Sequence, residues 1–204
     1  MTETKEKWRP TRHGVNIGHT SAWMAHRKVA LDVHRILSEG DPDRAVIDAP
    51  FTVMALRHVI RGVRMAHEHL KTESAKKLLH EALADFDEAV PGGKKARDVI
   101  EHFDEYAMGI GYLQQPGGPR RDKTPNDDLS EQYNHRLEWR TVGEERRPLY
   151  VAGPFKVDLV AAEDAAFRLV CDAYEALRLD EGRPVPRGWK YEVQRGSLRM
   201  WGTS

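Results

Sequence analysis

The sequence predicts a mainly α protein, an up-and-down bundle of four or five helices with a β-hairpin inserted before the last helix. Three observations predict it. Apolar residues recur every three to four positions over most of residues 21–111 and again after residue 158, the period of a helix with one buried side. Turn formers cluster at Gly40-Asp41-Pro42 and Pro91-Gly92-Gly93, which divides that stretch into separate helices. Between Leu137 and Thr141 the period drops to two, as on a half-buried strand. With 204 residues the chain can bury a real core. Its 31% charged and 40% apolar residues suit a folded helical protein better than a disordered one.

Each element follows from its own pattern. Residues 1–19 read as an irregular basic arm, with Lys5, Lys7, Arg9 and Arg12 around Trp8. A first helix is expected from about Ser21 to Ser38, with Trp23, Ala30, Val33 and Leu37 inward. The second begins near Pro50, a residue tolerated in a first helical turn, and runs to about Leu70. It carries two adjacent apolar stripes, one through Met54 and Gly62 and one through Leu56, Val59 and Val63. So wide an apolar arc places it centrally. Thr72 or Ser74 can cap a third helix built on Ala75, Leu78, Leu79, Ala82, Phe86 and Val90. Short links make these helices antiparallel neighbours. A fourth helix is expected over Gly93–Gly111, with Val99, Ile100, Phe103, Tyr106, Ala107 and Ile110 inward.

Residues 114–132 are turn formers and charge, the composition of a long mobile loop. A β-hairpin follows over 136–158, with a kink at Gly153-Pro154. Asp158 can cap the last helix, which turns Val160, Phe167, Val170, Cys171, Tyr174 and Leu177 inward. Cys171 is read there as a core residue. The bundle thus spans 20–181, and 182–204 form a basic, aromatic tail. Arg183, Arg187, Lys190, Arg195 and Arg199 face one acid, Glu192, a local charge of about +4. Trp189, Tyr191 and Trp201 are interleaved with them. Such a tail either packs back on its own domain or stacks on single-stranded RNA.

Composition excludes several function classes. Lys plus Arg equals Asp plus Glu at 32 each, so no global field draws the chain to nucleic acid or membrane. Apolar runs are only a few residues long, too short to span a bilayer. The N-terminus lacks a signal-peptide core, and a cytoplasmic location is the expectation. One cysteine permits neither an internal disulfide nor a cysteine zinc site. His67-Glu68-His69 puts its imidazoles on different helix faces, unsuitable for one metal. With no Gly-rich phosphate loop after a strand and no GxSxG elbow, no cofactor and no metal is expected.

The fourth helix concentrates the chemistry: Arg97, Asp98, Glu101, His102, Asp104 and Glu105. An Arg followed at this range by His also occurs at Arg12/His19, Arg27/His34, Arg61/His67 and Arg64/His69. Only Arg97 combines a small polar follower, Asp98, with a position just after a helix start. RNA cleavage by the neighbouring 2′-hydroxyl needs a proton acceptor, a proton donor and a cation for the charged phosphorane. An imidazole can serve either proton transfer, and a guanidinium can grip phosphate oxygens bidentately. Asp98 lies four residues before His102, where it can orient the ring and favour its charged form. Arg97 and His102 lie about 140° apart around a helix, so one copy alone makes a poor site. The plainer alternative is an exposed helix with internal ion pairs such as Arg97 to Glu101.

Arg97-Asp98, three further residues and then His102, on a late helix of a bundle, resembles the motif of HEPN-domain proteins. The resemblance covers roughly Ser21 to Gly111. It implies a metal-independent endoribonuclease, a twofold dimer that brings two copies of this helix together, and RNA as partner. It also implies Arg97 on the phosphate, His102 in proton transfer and Asp98 orienting it. In the family's toxin subset the partners include a cognate antitoxin or a nucleotidyltransferase that modifies a Tyr two residues after the His. Here that position is Asp104, and the nearest tyrosine is Tyr106.

Further RNA contacts are expected from Arg57, Arg61 and Arg64, a stripe on the second helix that is either solvated or phosphate-facing. Arg187, Trp189 and Lys190 of the tail are the remaining candidates. The alternative function is a non-catalytic helical adaptor that dimerises through the same helix and binds a protein or RNA partner.

Overall fold

The structure, a computed structural model, describes residues 13–38, 42–114 and 133–184. Most of the expected arm and loop, and the tail beyond Pro184, lie outside them. In order come α1 (His13–Ser38), α2 (Pro42–His69), α3 (Glu73–Ala89), α4 (Gly93–Glu101), α5 (Phe103–Ala107) and a 3-10 turn (Tyr112–Gln114). Strands β1 (His135–Val142), β2 (Glu145–Ala152) and β3 (Phe155–Asp158) lead into α6 (Leu159–Asp180). The fold is the expected one: mainly helical, with a small antiparallel sheet before the last helix.

α1 and α2 form the longest helix pair. α1 begins at His13, not Ser21, because its buried stripe starts earlier: Val15, Ala22, Val29 and Ile36 repeat every seven residues. Leu37, expected inward, is exposed. The backbones touch where Gly18 meets Gly62. A Cβ at Gly18 would lie 2.6 Å from the Gly62 carbonyl oxygen, and one at Gly62 2.7 Å from that of Gly18. Each glycine costs a helix about 1 kcal/mol against alanine; close packing along the pair offsets it.

α2 starts at Pro42 and continues through Pro50, so the expected start was late. An interior proline costs about 3 kcal/mol, yet Ala45, Ala49 and Val53 carry the buried stripe past it without a gap. Asp32 is fully buried at the edge of this pair, held by Lys28 and by Arg35 Nη2 at 3.2 Å; Arg35 also reaches Asp48. A buried carboxylate without such partners would cost several kcal/mol.

α3 packs mainly on α6 and touches α2 only lightly, so the short α2–α3 link does not make those two close neighbours. Neither Thr72 nor Ser74 caps α3 through its side chain. Instead Asp180, at the end of α6, accepts from the Lys71 and Thr72 N–H groups at 2.7 Å each. The residues leading into α3 are thereby tied to the end of α6.

The hairpin is a three-stranded meander. Gly153-Pro154 is the turn between β2 and β3, which pair from Ala152↔Phe155 to Leu149↔Asp158; at φ +58, Gly153 suits that turn. Asp158 caps α6 as expected, Oδ1 accepting from the Val160 and Ala161 N–H groups at 3.0 and 2.9 Å. Val160, Val170 and Cys171 are buried, whereas Phe167, Tyr174 and Leu177 are only half-buried. Alanines 162, 165, 166, 173 and 176 form much of the buried face. Among the described residues no helix is long and apolar enough to cross a membrane.

Candidate functional site

The ionisable cluster of α4 sits where that helix packs on α2 and β3. α4 starts after Gly92, whose φ of +82 lies in the left-handed region that glycine tolerates. Ala96 and Val99 anchor its inner side. The helix then breaks, correcting the single helix expected over Gly93–Gly111. His102 still donates its N–H to the Asp98 carbonyl at 3.1 Å, but its φ of −118° and ψ of 35° redirect the chain into α5.

The anchor on the far side is Tyr106. It is buried, stacked on Tyr133 with centroids 4.7 Å apart, and its hydroxyl accepts from the Leu113 N–H at 3.4 Å. Gln114, placed in the mobile loop by composition, is itself fully buried. Its Oε1 accepts from the Gly111 N–H at 2.8 Å and its Nε2 donates to the Tyr106 carbonyl at 3.1 Å. Because the chain turns at His102, Phe103, Ala107 and Ile110 face outward instead of into the core.

Arg97 is directed towards α2. Its Nε lies 3.4 Å from Glu101 Oε2, and Glu101 also pairs with Arg57 of α2. Burial, then the charges of Arg57 and, less strongly, Arg64, lowers the Arg97 pKa, while Asp98 acts the other way. The buried Nε meets the Glu101 carboxylate as an ion pair without hydrogen-bond geometry. Arg61 and Arg64 are exposed on the same helix. Arg57 and Arg64 of α2 and the motif arginine of α4 therefore converge, which separate readings of the two helices could not reveal.

The other motif residues have different neighbours. His102 is exposed, its Nδ1 3.5 Å from Glu105 Oε1. Asp98 lies near the Tyr106 hydroxyl; burial first, with the Asp98 charge adding to it, pushes that hydroxyl up to about 12. At 1% exposure Tyr106 offers no surface for modification. Arg187, Trp189 and Lys190 lie outside the described residues. Among those described, no three His, Cys, Asp or Glu side chains gather as metal ligands.

The sequence reading missed the anchor formed by Tyr106, Tyr133 and Gln114. Gly111 carried a trace of it, since a Cβ there would sit 2.4 Å from the Tyr106 ring. Compared with known proteins, the chain matches no family model, no curated protein and no solved structure.

Proposed function

We propose that the α2–α4 face holds the sugar-phosphate backbone of RNA and that a twofold dimer cleaves it, as the HEPN resemblance implies. One observation carries the reading: Arg57, Arg64 and Arg97 converge on a surface whose nearby acids are Glu101 and Asp98. Glu101 is already shared between two guanidiniums, so the cluster keeps positive charge. A phosphate would supply the balancing negative charge. Arg61, exposed beside them, extends the track along the backbone.

In the reaction the 2′-hydroxyl attacks the adjacent phosphorus and gives up its proton, while the departing 5′-oxygen gains one. The products are a 2′,3′-cyclic phosphate and a free 5′-hydroxyl. The exposed His102 is the proton-transfer group. Arg97 is turned towards α2 and His102 towards solvent, so the imidazole of one copy would serve the phosphate held by the other. No cofactor enters this chemistry.

The test is mixed RNA incubated with purified protein in EDTA. Arg97→Ala and His102→Ala should each remove cleavage while circular dichroism stays unchanged. Cleavage untouched in both variants ends the reading. The adaptor alternative is favoured by the exposed Phe103, Met108, Ile110 and Tyr112, between 55% and 72% accessible, which suit a protein contact. A stable dimer or partner complex without any RNA degradation would select it.

A further inference from the structure

α3 and α6 leave an open groove of about 480 Å³ between them, with Phe86 and Leu169 in its lining. The charge along it is mostly acidic: Asp85 and Glu88 from α3 and Asp172 from α6, against one base, Arg168. Asp85 and Glu88 are exposed. Phe86 and Leu169 lie almost wholly buried beneath the opening, so what the groove offers is chiefly its carboxylates, which suit a segment rich in basic residues.

Such a segment belongs to the chain itself, and the end of α6 aims it. Gly182, at φ +67, ends the helix, and the Arg183 N–H donates back to the Arg178 carbonyl at 2.9 Å, a closure that reverses the chain. Arg178 Nη2 then donates to the Pro184 carbonyl at 2.9 Å. The chain thus leaves Pro184 alongside α6. Residues 185–204 follow, with Arg187, Lys190, Arg195 and Arg199 against Glu192, a charge of +3, and with Trp189, Tyr191 and Trp201. Leu169 precedes Arg178 by nine residues, about 13.5 Å of helix. Five extended residues cover about 16 Å, so Trp189 can reach the groove.

We propose that the segment 185–204 docks in the α3–α6 groove, with Trp189 entering its opening and with Arg187 and Lys190 against Asp85 and Glu88. This is independent of the nuclease reading, since it uses no residue of the α2–α4 face.

Hydrogen exchange on the full chain tests it. Amides of 185–192 should exchange at least about tenfold more slowly than an unstructured chain, as a docked segment does. Asp85→Lys with Glu88→Lys should remove that protection, and adding Arg187→Glu with Lys190→Glu should restore it. Asp85→Asn with Glu88→Gln is the milder pair should charge reversal disturb folding. An unprotected segment in the natural chain overturns the proposal. So does protection that neither pair of substitutions changes, which would place the tail elsewhere, or a loss that the second reversal fails to restore.

Discussion

The α1–α2 pair and the α4–α5 segment start from similar amphipathic sequences and end differently. In the pair, each helix gives the other a long partner, and the backbones close to contact at Gly18 and Gly62. The apolar repeat is obeyed from Val15 to Ile36. α4 has only nine residues, and the next buried anchor, Tyr106, is reached by turning at His102. There the apolar repeat is interrupted: Val99 and Tyr106 are buried, but Phe103 and Ile110 are exposed. Periodicity states which side of a helix can be buried; a continuous partner decides how many turns are. Charge divides them in sign. Asp32, beside the α1–α2 contact, is a buried acid held by two bases, whereas around Arg97 the guanidiniums of Arg57, Arg64 and Arg97 share the carboxylates of Glu101 and Asp98.

The most damaging way to break the contrast is Gly62→Leu. The added side chain meets the Ala22 backbone nitrogen at 2.7 Å, and main chain in a long helix cannot step aside. Overpacking of this kind costs about 3 kcal/mol, or about 6–12 °C in Tm for a chain of this size. Thermal unfolding reads it directly, and an unchanged Tm would mean that the helices are not in backbone contact.

A smaller and local loss is expected from Gln114→Ala. It strands the Gly111 N–H and the Tyr106 carbonyl, both bonded to that side chain. Unpaired buried groups cost about 1–3 kcal/mol. Hydrogen exchange should rise at Gly111 while α1 and α2 keep their protection. Equal loosening of both regions would show that they are one cooperative unit, not two.

These cases explain what was legible in the sequence. Fold class, the β-hairpin, the Asp158 cap and the burial of Cys171 each follow from local pattern, and local pattern sufficed. The start of α2 did not, because Pro50 is a stop signal unless Ala45, Ala49 and Val53 have a partner to pack on, which only tertiary structure supplies. The tie between α6 and the residues leading into α3 was likewise invisible, since Asp180 lies 108 positions from Thr72. At the candidate site, Arg57, Arg61, Arg64 and Arg97 were legible as residues of interest. The convergence of Arg57, Arg64 and Arg97 depends on how α4 lies across α2, a tertiary fact with no signature in either helix alone.

The gentlest substitution discriminates most sharply. In an uninterrupted helix over Gly93–Gly111, Phe103 would share a face with Val99 and Tyr106, and removing its ring would cost about 3–5 kcal/mol. In the structure the break at His102 leaves Phe103 63% exposed, so Phe103→Ser should change stability by no more than about 0.5 kcal/mol. Urea unfolding separates the two outcomes easily. An effect of several kcal/mol would restore the continuous helix, and with it a Phe103 unavailable to any partner. A near-zero effect leaves that ring on the surface beside His102, where a second subunit or a protein partner can cover it. Size-exclusion chromatography of the same variant then tells whether the ring holds two copies together: a shift towards monomer with stability unchanged assigns it to the interface.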